Sequence, residues 1–403
     1  MLAASIRRMK HRDRADVVIV GGAIIGSAVA TFLASRPDFD GRIVVVERDP
    51  SFRTSSTTLS AASIRLQFST PLNIEISRFG VDLIKHPDRY LAVDGEAPEV
   101  DFVENGYLFL ATGAGLATLE HNHALQRALD VPVQLLSPSE LHARFDWLNT
   151  DDLAGASLGL ADEGWFDAYA LLQGFRRKAR SLGVVERIGE VVGLERDGAG
   201  IGGIRLADGS LIDADWVVNA AGPRAAEIAA LAGVDLPVRP RKRHVYHLTA
   251  TVSLGAAPLT VDPSGIYFRP EGPAYIAGFS PREGDPDPDT LDLAPDRGRF
   301  ETFVWPALAH RVPAFDQLRL LDTWAGHYEV NTLDANAIIG PHPEITNLLF
   351  ANGFSGHGLQ QAPAVGRGLA EWIATGRFET LDLGPLGFDR IVRQEPIREL
   401  NVV

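Results

Sequence analysis

Ala15-Asp-Val-Val-Ile-Val-Gly-Gly-Ala-Ile-Ile-Gly26 decides how this chain is read. The β-branched run Val17 to Val20 predicts a buried strand, Gly21 and Gly22 a turn, and the uncharged segment through about Ala34 a helix. A second apolar run, Arg42-Ile-Val-Val-Val-Glu47, ends in an acid about 20 residues beyond the last glycine, as a dinucleotide-binding βαβ unit requires. In such a unit Gly21 makes the tight turn and Gly26 lets the helix pack on the strand. The helix N-terminus, through Gly22, Ala23, Ile24 and Ile25, offers unpaired N–H groups and a positive dipole end to a pyrophosphate. Ala23 stands where the G-x-G-x-x-G pattern has its second glycine, so the backbone approaches the phosphates past a methyl group. Glu47 is placed to accept hydrogen bonds from an adenosine ribose. Arg48 follows it, but an acid at the ribose repels a 2′-phosphate, which disfavours NADP. NAD and FAD both fit this much of the chain.

With 403 residues, 45% of them hydrophobic and 22% charged, the chain is large enough for two packed domains. A net charge of −14 repels phosphodiester backbones, and no basic stripe offsets it, so no nucleic-acid partner is expected. The absence of cysteine excludes disulfides, thiolate zinc, cysteinyl iron–sulfur clusters and cysteine-linked cofactors. Val17 to Ala34 is long enough to imitate a membrane span, but Gly21, Gly22 and Gly26 interrupt it, and no span is expected. Residues 1–14, with Arg7, Arg8, Lys10, Arg12 and Arg14, are expected to form a flexible tail without a signal-type apolar core, and the protein to be cytoplasmic. His121 and His123 are too few and badly spaced for a metal. Phosphate-loop, zinc-protease and serine-hydrolase motifs are absent, which leaves redox chemistry.

Later segments bear on the cofactor. Thr54 to Phe68 is dominated by small hydroxyl residues, and Ser55, Ser56, Thr57, Ser60, Ala62, Ser63 and Ile64 suit close approach to a planar ligand and its polyol, or a simple helix cap. Ile212 to Gly222 reads as another buried strand ending in Ala220-Ala221-Gly222, and Gly183–Val192, with Val191, and Gly202–Leu206 as strands that complete the first sheet. Leu348 to Pro363 reads as strand, glycine turn and helix start, with Val365, Leu369 and Trp372 at helical spacing. A second helix N-terminus, behind Gly353-Phe354-Ser355-Gly356-His357-Gly358-Leu359-Gln360, suits the negatively charged N1/C2 edge of a reduced flavin and favours FAD over NAD.

Taken together, Val18 to Gly26, Ser55-Ser-Thr57, Ser63 to Phe68, Val217 to Gly222, Asn331 to Asp334 and Gly353 to Gly358 resemble the D-amino-acid-oxidase-type flavoprotein family. Within it, the chain is similar to the branch of sarcosine oxidases, dimethylglycine dehydrogenases and FAD-dependent proline dehydrogenases. The resemblance implies an α/β protein with an α+β second domain. A discontinuous, Rossmann-like FAD-binding domain would comprise residues 15–86, 152–226 and 324–403. A mostly antiparallel-sheet substrate domain, 87–151 and 227–323, would roof the flavin. D-amino-acid and glycine oxidases carry Gly-x-Arg-Pro before the C-terminal acid, whereas this chain has Gly326-His-Tyr-Glu-Val-Asn-Thr-Leu-Asp334. Monomeric sarcosine oxidases bond their flavin to a cysteine where this chain has His327. Non-covalent FAD is therefore expected, with a histidyl bond as the one covalent alternative. Gln360 stands where those oxidases use a carboxylate-binding lysine.

The resemblance implies oxidation of the C–N bond of an amino acid or a related secondary or N-methylated amine. A hydride would pass to flavin N5 and leave an imine, with oxygen, a quinone or an electron-transfer flavoprotein as acceptor. Such chemistry needs a neutral amine and a dry pocket, and an amino-acid substrate needs a cation for its carboxylate. Arg65, Arg269, Lys242 and Arg243 are the candidates. Arg269 is preferred because the alternating segment Gly265-Ile-Tyr-Phe-Arg-Pro270 puts Tyr267 and Arg269 on one face, and Arg65 is expected at the flavin. His327 and Gln360 complete the expected site, and His357 is expected to hydrogen-bond flavin or backbone. Tyr246, between His244 and His247, is expected to point away from both. The acidic, proline-rich segment from Pro281 reads as a solvated loop or a lid over 281–297. A second reading is a catalytically weak flavoprotein acting in assembly or scaffolding. Ser63 to Phe68 and Tyr267 to Gly272 are also similar to mitochondrial FAD-dependent oxidoreductase-domain proteins linked to respiratory complex I assembly.

Overall fold

The computed structural model describes residues 12–281 and 284–400. The strand Arg12–Val20 lies inside the first sheet, paired in parallel with Ile43–Glu47 on one side and Leu211–Asn219 on the other. The order runs Ile338–Pro341, Leu348–Asn352, Leu211–Asn219, Arg12–Val20, Ile43–Glu47, Val185–Ile188, and the hairpin Val191–Asp197/Gly200–Leu206 attaches to Leu211–Asn219. Val17 and Ile19 pack under the helices Ile24–Ala34, Ala168–Ser181 and Gly358–Thr375, while Val18 and Val20 pack against the hairpin side. An uninterrupted apolar run is what a strand covered on both faces requires. At Gly366 the helix Gly358–Thr375 comes so close to Ala28 that a Cβ there would crowd the Ala28 backbone, at 2.7 Å from its carbonyl carbon.

The tail expected over residues 1–14 is corrected at its inner end. Residues 12–14 already belong to the central strand, where Arg14 pairs with Asp215 at 2.9 Å. Arg7, Arg8 and Lys10 lie outside the described residues. No helix among the described residues is long and apolar enough to cross a membrane.

The second sheet has the order Arg319–Asn331, Val238–Thr249, Ala274–Phe279, Ile266–Glu271, Leu259–Val261, Tyr107–Ala111, Gly155–Gly159, Val133–Leu136. It is antiparallel except where Leu259–Val261 meets Tyr107–Ala111. The domain boundaries expected at 152 and 324 therefore cut through this sheet, since Gly155–Gly159 and Arg319–Asn331 are strands of it. One face packs on Phe300, Val304, Leu308 and Phe315. On the strand Val238–Thr249 the rings of His244 and Tyr246 stack at 6.2 Å and 22°. Residues two apart on a strand share a face, so Tyr246 does not point away from His244 as expected.

Candidate active site

A cavity of about 620 Å³ runs from the carboxyl ends of the first sheet to the underside of the second. At its first end, backbone sterics dictate the glycines. A Cβ on Gly21 (φ +105°) would overlap the Ala220 carbonyl oxygen, and one on Gly26 would overlap the carbonyl oxygen of Gly21. Glu47 accepts the Gly22 N–H through Oε2 and the Asp49 N–H through Oε1, both at 2.8 Å. The carboxylate is thereby fixed at the cavity wall with lone pairs to spare. Ala23 opens the helix without a side-chain cap, so the first-turn N–H groups, of which Ile24 reaches Thr57 Oγ1 at 3.3 Å, supply the positive end of the helix.

Most of the expected cofactor contacts meet in this one space. Gly21, Ala23, Ile24, Ile25, Glu47 and Arg48 line it from the first motif, and Ser55, Ser56, Thr57, Ser60, Ala62 and Ser63 from the hydroxyl-rich segment. Val191, Ala220, Ala221 and Gly222 (φ +57°) line it from the later strands. Gly326, His327, Phe354, Gly356, Gly358 and Leu359 line it from the C-terminal motifs. Gly22, Gly26, Ile64, Gly353 and Ser355 stand behind this wall. Ser355 braces it, its hydroxyl accepting the Asn331 N–H at 3.0 Å and donating to the Gly353 carbonyl at 3.1 Å. Three buried polar atoms on lining residues, Ser56 Oγ, Arg243 Nε and His327 Nε2, find no protein partner, as expected where a polar ligand belongs. The helix Gly358–Thr375 also starts without a side-chain cap. The residues present therefore fit FAD: an acid for the ribose, two helix N-termini, hydroxyls along the middle and glycines at both ends.

The far end is walled by Tyr267, Tyr328, Val245, Arg243, His327 and Glu329. Tyr267 lies opposite Gly278 on the neighbouring strand, and its ring occupies the space that a Cβ at 278 would take. Tyr328 likewise rests on Gly356. Burial raises the pKa of both phenols, so they remain hydrogen-bond donors at neutral pH. Burial, aided by the charge of Lys242, lowers that of His327, which is neutral. Glu329 accepts the Gly353 N–H at 3.2 Å, and burial pushes its carboxyl up to about 8.

Arg269, Gln360 and Arg65 are placed differently from expectation, and His357 stays behind the wall, where its side chain meets the Phe354 backbone, the second of its two expected partners. The guanidinium of Arg269 donates to the Ala61 carbonyl from Nε and Nη2 (3.3 and 2.9 Å), to the Pro270 carbonyl (2.9 Å) and to Glu271, and lies 5.0 Å over the Trp165 ring. Tyr267 shares its strand and lines the cavity; Arg269 does not, because protein groups consume its donors. Gln360 does not line the cavity either: its Oε1 accepts the Arg65 N–H at 2.9 Å. His357 stands 3.1 Å from Arg65 through Nε2, and burial reinforced by the Arg65 charge holds its pKa well below the usual imidazole value. Arg65, expected at the flavin, packs behind the wall against Phe68 (4.6 Å) and Phe109 (5.6 Å). Its segment is held by Glu163, which accepts the N–H groups of Leu66 and Gln67 at 2.7 and 2.9 Å.

Sequence reasoning missed Tyr328 and Glu329, although they sit inside a segment it singled out. It named Arg243 without preferring it, and the signal for it was charge complementarity: Arg239-Pro-Arg-Lys-Arg243 faces Asp287, Asp289 and Asp292.

The family model for FAD dependent oxidoreductases (DAO) matches residues 16–372. The chain is 42% identical to "FAD-dependent oxidoreductase domain-containing protein 1" of Xenopus laevis, across 97% of this chain and 85% of that one. It is 28% identical to the mitochondrial dimethylglycine dehydrogenase of Rattus norvegicus, across 93% of this chain and 45% of that protein. Its fold is similar to that of the crystal structure of L-proline dehydrogenase from P. horikoshii, with a TM-score of 0.84, 28% identity and coverage of 96% and 100%. The chain belongs to the FAD-dependent oxidoreductase (DAO) family: it is an FAD-dependent enzyme related to the amino-acid and amine oxidases.

Proposed function

We propose that this enzyme oxidises the C–N bond of an amino acid, or of a related secondary or N-methylated amine, to an imine. The continuity of the cavity carries this reading, because the nucleotide cradle at Glu47 and the chamber under Tyr267 and Tyr328 are one space. Bound FAD would supply the two-electron acceptor for the breaking C–H bond. The chain's own residues orient the substrate and keep the chamber dry. Val245, Leu291, Leu293 and Leu359 contribute apolar wall, which excludes water and favours a neutral amine over its ammonium form. The two phenols, protonated at neutral pH, donate hydrogen bonds to the substrate. Glu47 and the first helix N-terminus act far from this chemistry and contribute uniform binding.

Anaerobic bleaching of the flavin by a panel of N-methylated, cyclic and D-amino acids tests the proposal, and reoxidation with oxygen, a quinone or an electron-transfer flavoprotein identifies the acceptor. Holoenzyme that no amine bleaches would instead favour the catalytically weak, assembly-type reading. Non-covalent binding is part of the proposal: acid precipitation should release FAD, whereas flavin held in the pellet would reveal a bond to His327. The cytoplasmic placement belongs to the same proposal, with subcellular fractionation as its test.

A further inference from the structure

Three arginines line the cavity among the described residues: Arg48, Arg224 and Arg243. Arg48 follows the ribose acid Glu47, and Arg224 pairs with Glu227 at 2.6 Å beside the Gly222 turn. Arg243 alone of the three lies at the phenolic end, 5.2 Å over the ring of Tyr328. Its guanidinium already holds a carboxylate. Asp287 Oδ1 and Oδ2 accept from Nη1 and Nη2 at 2.7 and 2.8 Å, the two-pronged arrangement that any free carboxylate can reproduce.

Asp287 does not belong to either sheet. It sits on a strap, residues 284–294, that runs along the edge of the strand Val238–Thr249 where that strand has left Ala274–Phe279. Charge and a few polar contacts hold the strap: Arg241 to Asp289 at 2.9 Å, Lys242 to Asp292 at 2.8 Å, and the Thr290 N–H to the Pro240 carbonyl at 3.0 Å. No residue between Gly284 and Ala294 is buried, so there is little hydrophobic burial to anchor it, and ion pairs this exposed are individually weak. Yet Leu291 and Leu293 reach the cavity wall. The strap thus covers this side of the chamber with Leu291 and Leu293, and its Asp287 occupies the fork of a cavity-lining arginine.

We infer that Arg243 is the carboxylate anchor of the chamber, that Asp287 is its resident stand-in, and that an amino-acid carboxylate binds by displacing Asp287 and loosening the strap. This deepens the proposed function and rests on it: the substrate class becomes amines that carry a carboxylate. Arg269, whose donors are consumed by Ala61, Pro270 and Glu271, and Arg65, behind the cavity wall, are not placed for that role.

The test uses holoenzyme with benzoate as a carboxylate probe and benzamide as its neutral counterpart, read by the change in the flavin absorption spectrum. Asp287→Asn, which removes the internal competitor, should tighten benzoate binding about tenfold or more. Arg243→Gln should weaken it by a similar factor, and neither variant should move benzamide. Arg243→Lys, which keeps the charge but not the fork, should fall between, and serves if the glutamine variant misfolds. Hydrogen exchange should show residues 284–294 opening when benzoate binds the wild type, with no further opening in Asp287→Asn.

Failure of the wild type to bind benzoate, unchanged or weaker binding in Asp287→Asn, protection of the strap by benzoate, or equal losses for benzoate and benzamide would overturn the inference. Bleaching distinguishes this from failure of the parent reading. If amino acids bleach the flavin of the wild type and of Arg243→Gln with the same KM, only the anchor is wrong. If benzoate behaves as expected and no amine bleaches the flavin, only the oxidation reading is wrong.

Discussion

At the nucleotide end of the cavity, backbone geometry leaves almost no freedom: Gly21 and Gly26 are glycine because carbonyl oxygens occupy the space of a side chain, and Glu47 is held by two N–H groups from neighbouring turns. At the roof, long side chains from distant segments compete for partners. Arg269 and Arg243 lie on two strands of one sheet, yet the first is bound to the Ala61 carbonyl 208 residues away and the second to a carboxylate on an exposed strap. The contrast teaches that residue type marks a site where sterics are local and underdetermines it where cations have several partners within reach.

The harshest test of that contrast is Gly26→Ala. Overlap with a backbone carbonyl cannot be relieved by a rotamer change, so a loss of about 3 kcal/mol, at the upper end for overpacking, and poor FAD incorporation are expected, read by thermal unfolding and the flavin-to-protein ratio. A stable, fully loaded variant would break the claim that the cradle is sterically dictated. Next comes Glu47→Gln, which removes the charge behind hydrogen bonds worth about 1.5–3 kcal/mol. FAD affinity should fall about ten- to a hundredfold, with the reduction rate of loaded enzyme nearly unchanged. An unaltered FAD titration would remove Glu47 from the ribose.

On the roof, Arg269→Met should cost about 1 kcal/mol of stability, because it leaves the half-buried Ala61 carbonyl without its donors. KM should change equally for an amino acid and for an amine lacking the carboxylate. A loss confined to the amino acid would return Arg269 to the substrate and collapse the distinction between the two arginines.

Glu329 sharpens the comparison through pH. Its folded carboxyl titrates at about 8 against 4.5 for the ordinary value, so the unfolded chain gives up its proton first as pH rises. The contribution is fully present below about 4.5 and is lost as pH rises to about 8, by up to about 1.4 kcal/mol per unit. Glu329→Gln should therefore flatten the stability profile between pH 5 and 8, as thermal melts across that range would show. A profile as steep as the wild type's would mean that Glu329 is already ionised. The smallest effect is expected at an exposed ion pair between the two central strands of the cradle sheet. There Asp215→Ala breaks an exposed pair with Arg14 and should cost no more than about 0.5 kcal/mol by denaturant unfolding.

Legibility in the sequence follows the same division. The strand run Val17–Val20, the turn and Glu47 were readable because strand, turn and helix signals are local and glycine is irreplaceable there. Tyr267 was readable from alternation alone. Arg269 shared that alternation and was misjudged, since a two-residue period tells which face a side chain leaves from and nothing about the carbonyl waiting across the interface. Gln360 was misjudged for a similar reason: its amide oxygen is taken by the Arg65 N–H, 295 residues away in sequence. The domain boundaries at 152 and 324 failed because Gly155–Gly159 and Arg319–Asn331 join a sheet whose other strands lie elsewhere in the chain.

By itself, then, the sequence determined a βαβ nucleotide cradle, its FAD-binding character and the glycine turns that shape it. These depend on backbone sterics and on contacts between segments that the strand and turn signals identify. Only the tertiary structure decided which cations face the chamber. Sheet register brings Ala61 to Arg269, Gln360 to Arg65 and Asp287 to Arg243, and a long charged side chain binds whichever partner the fold delivers to it.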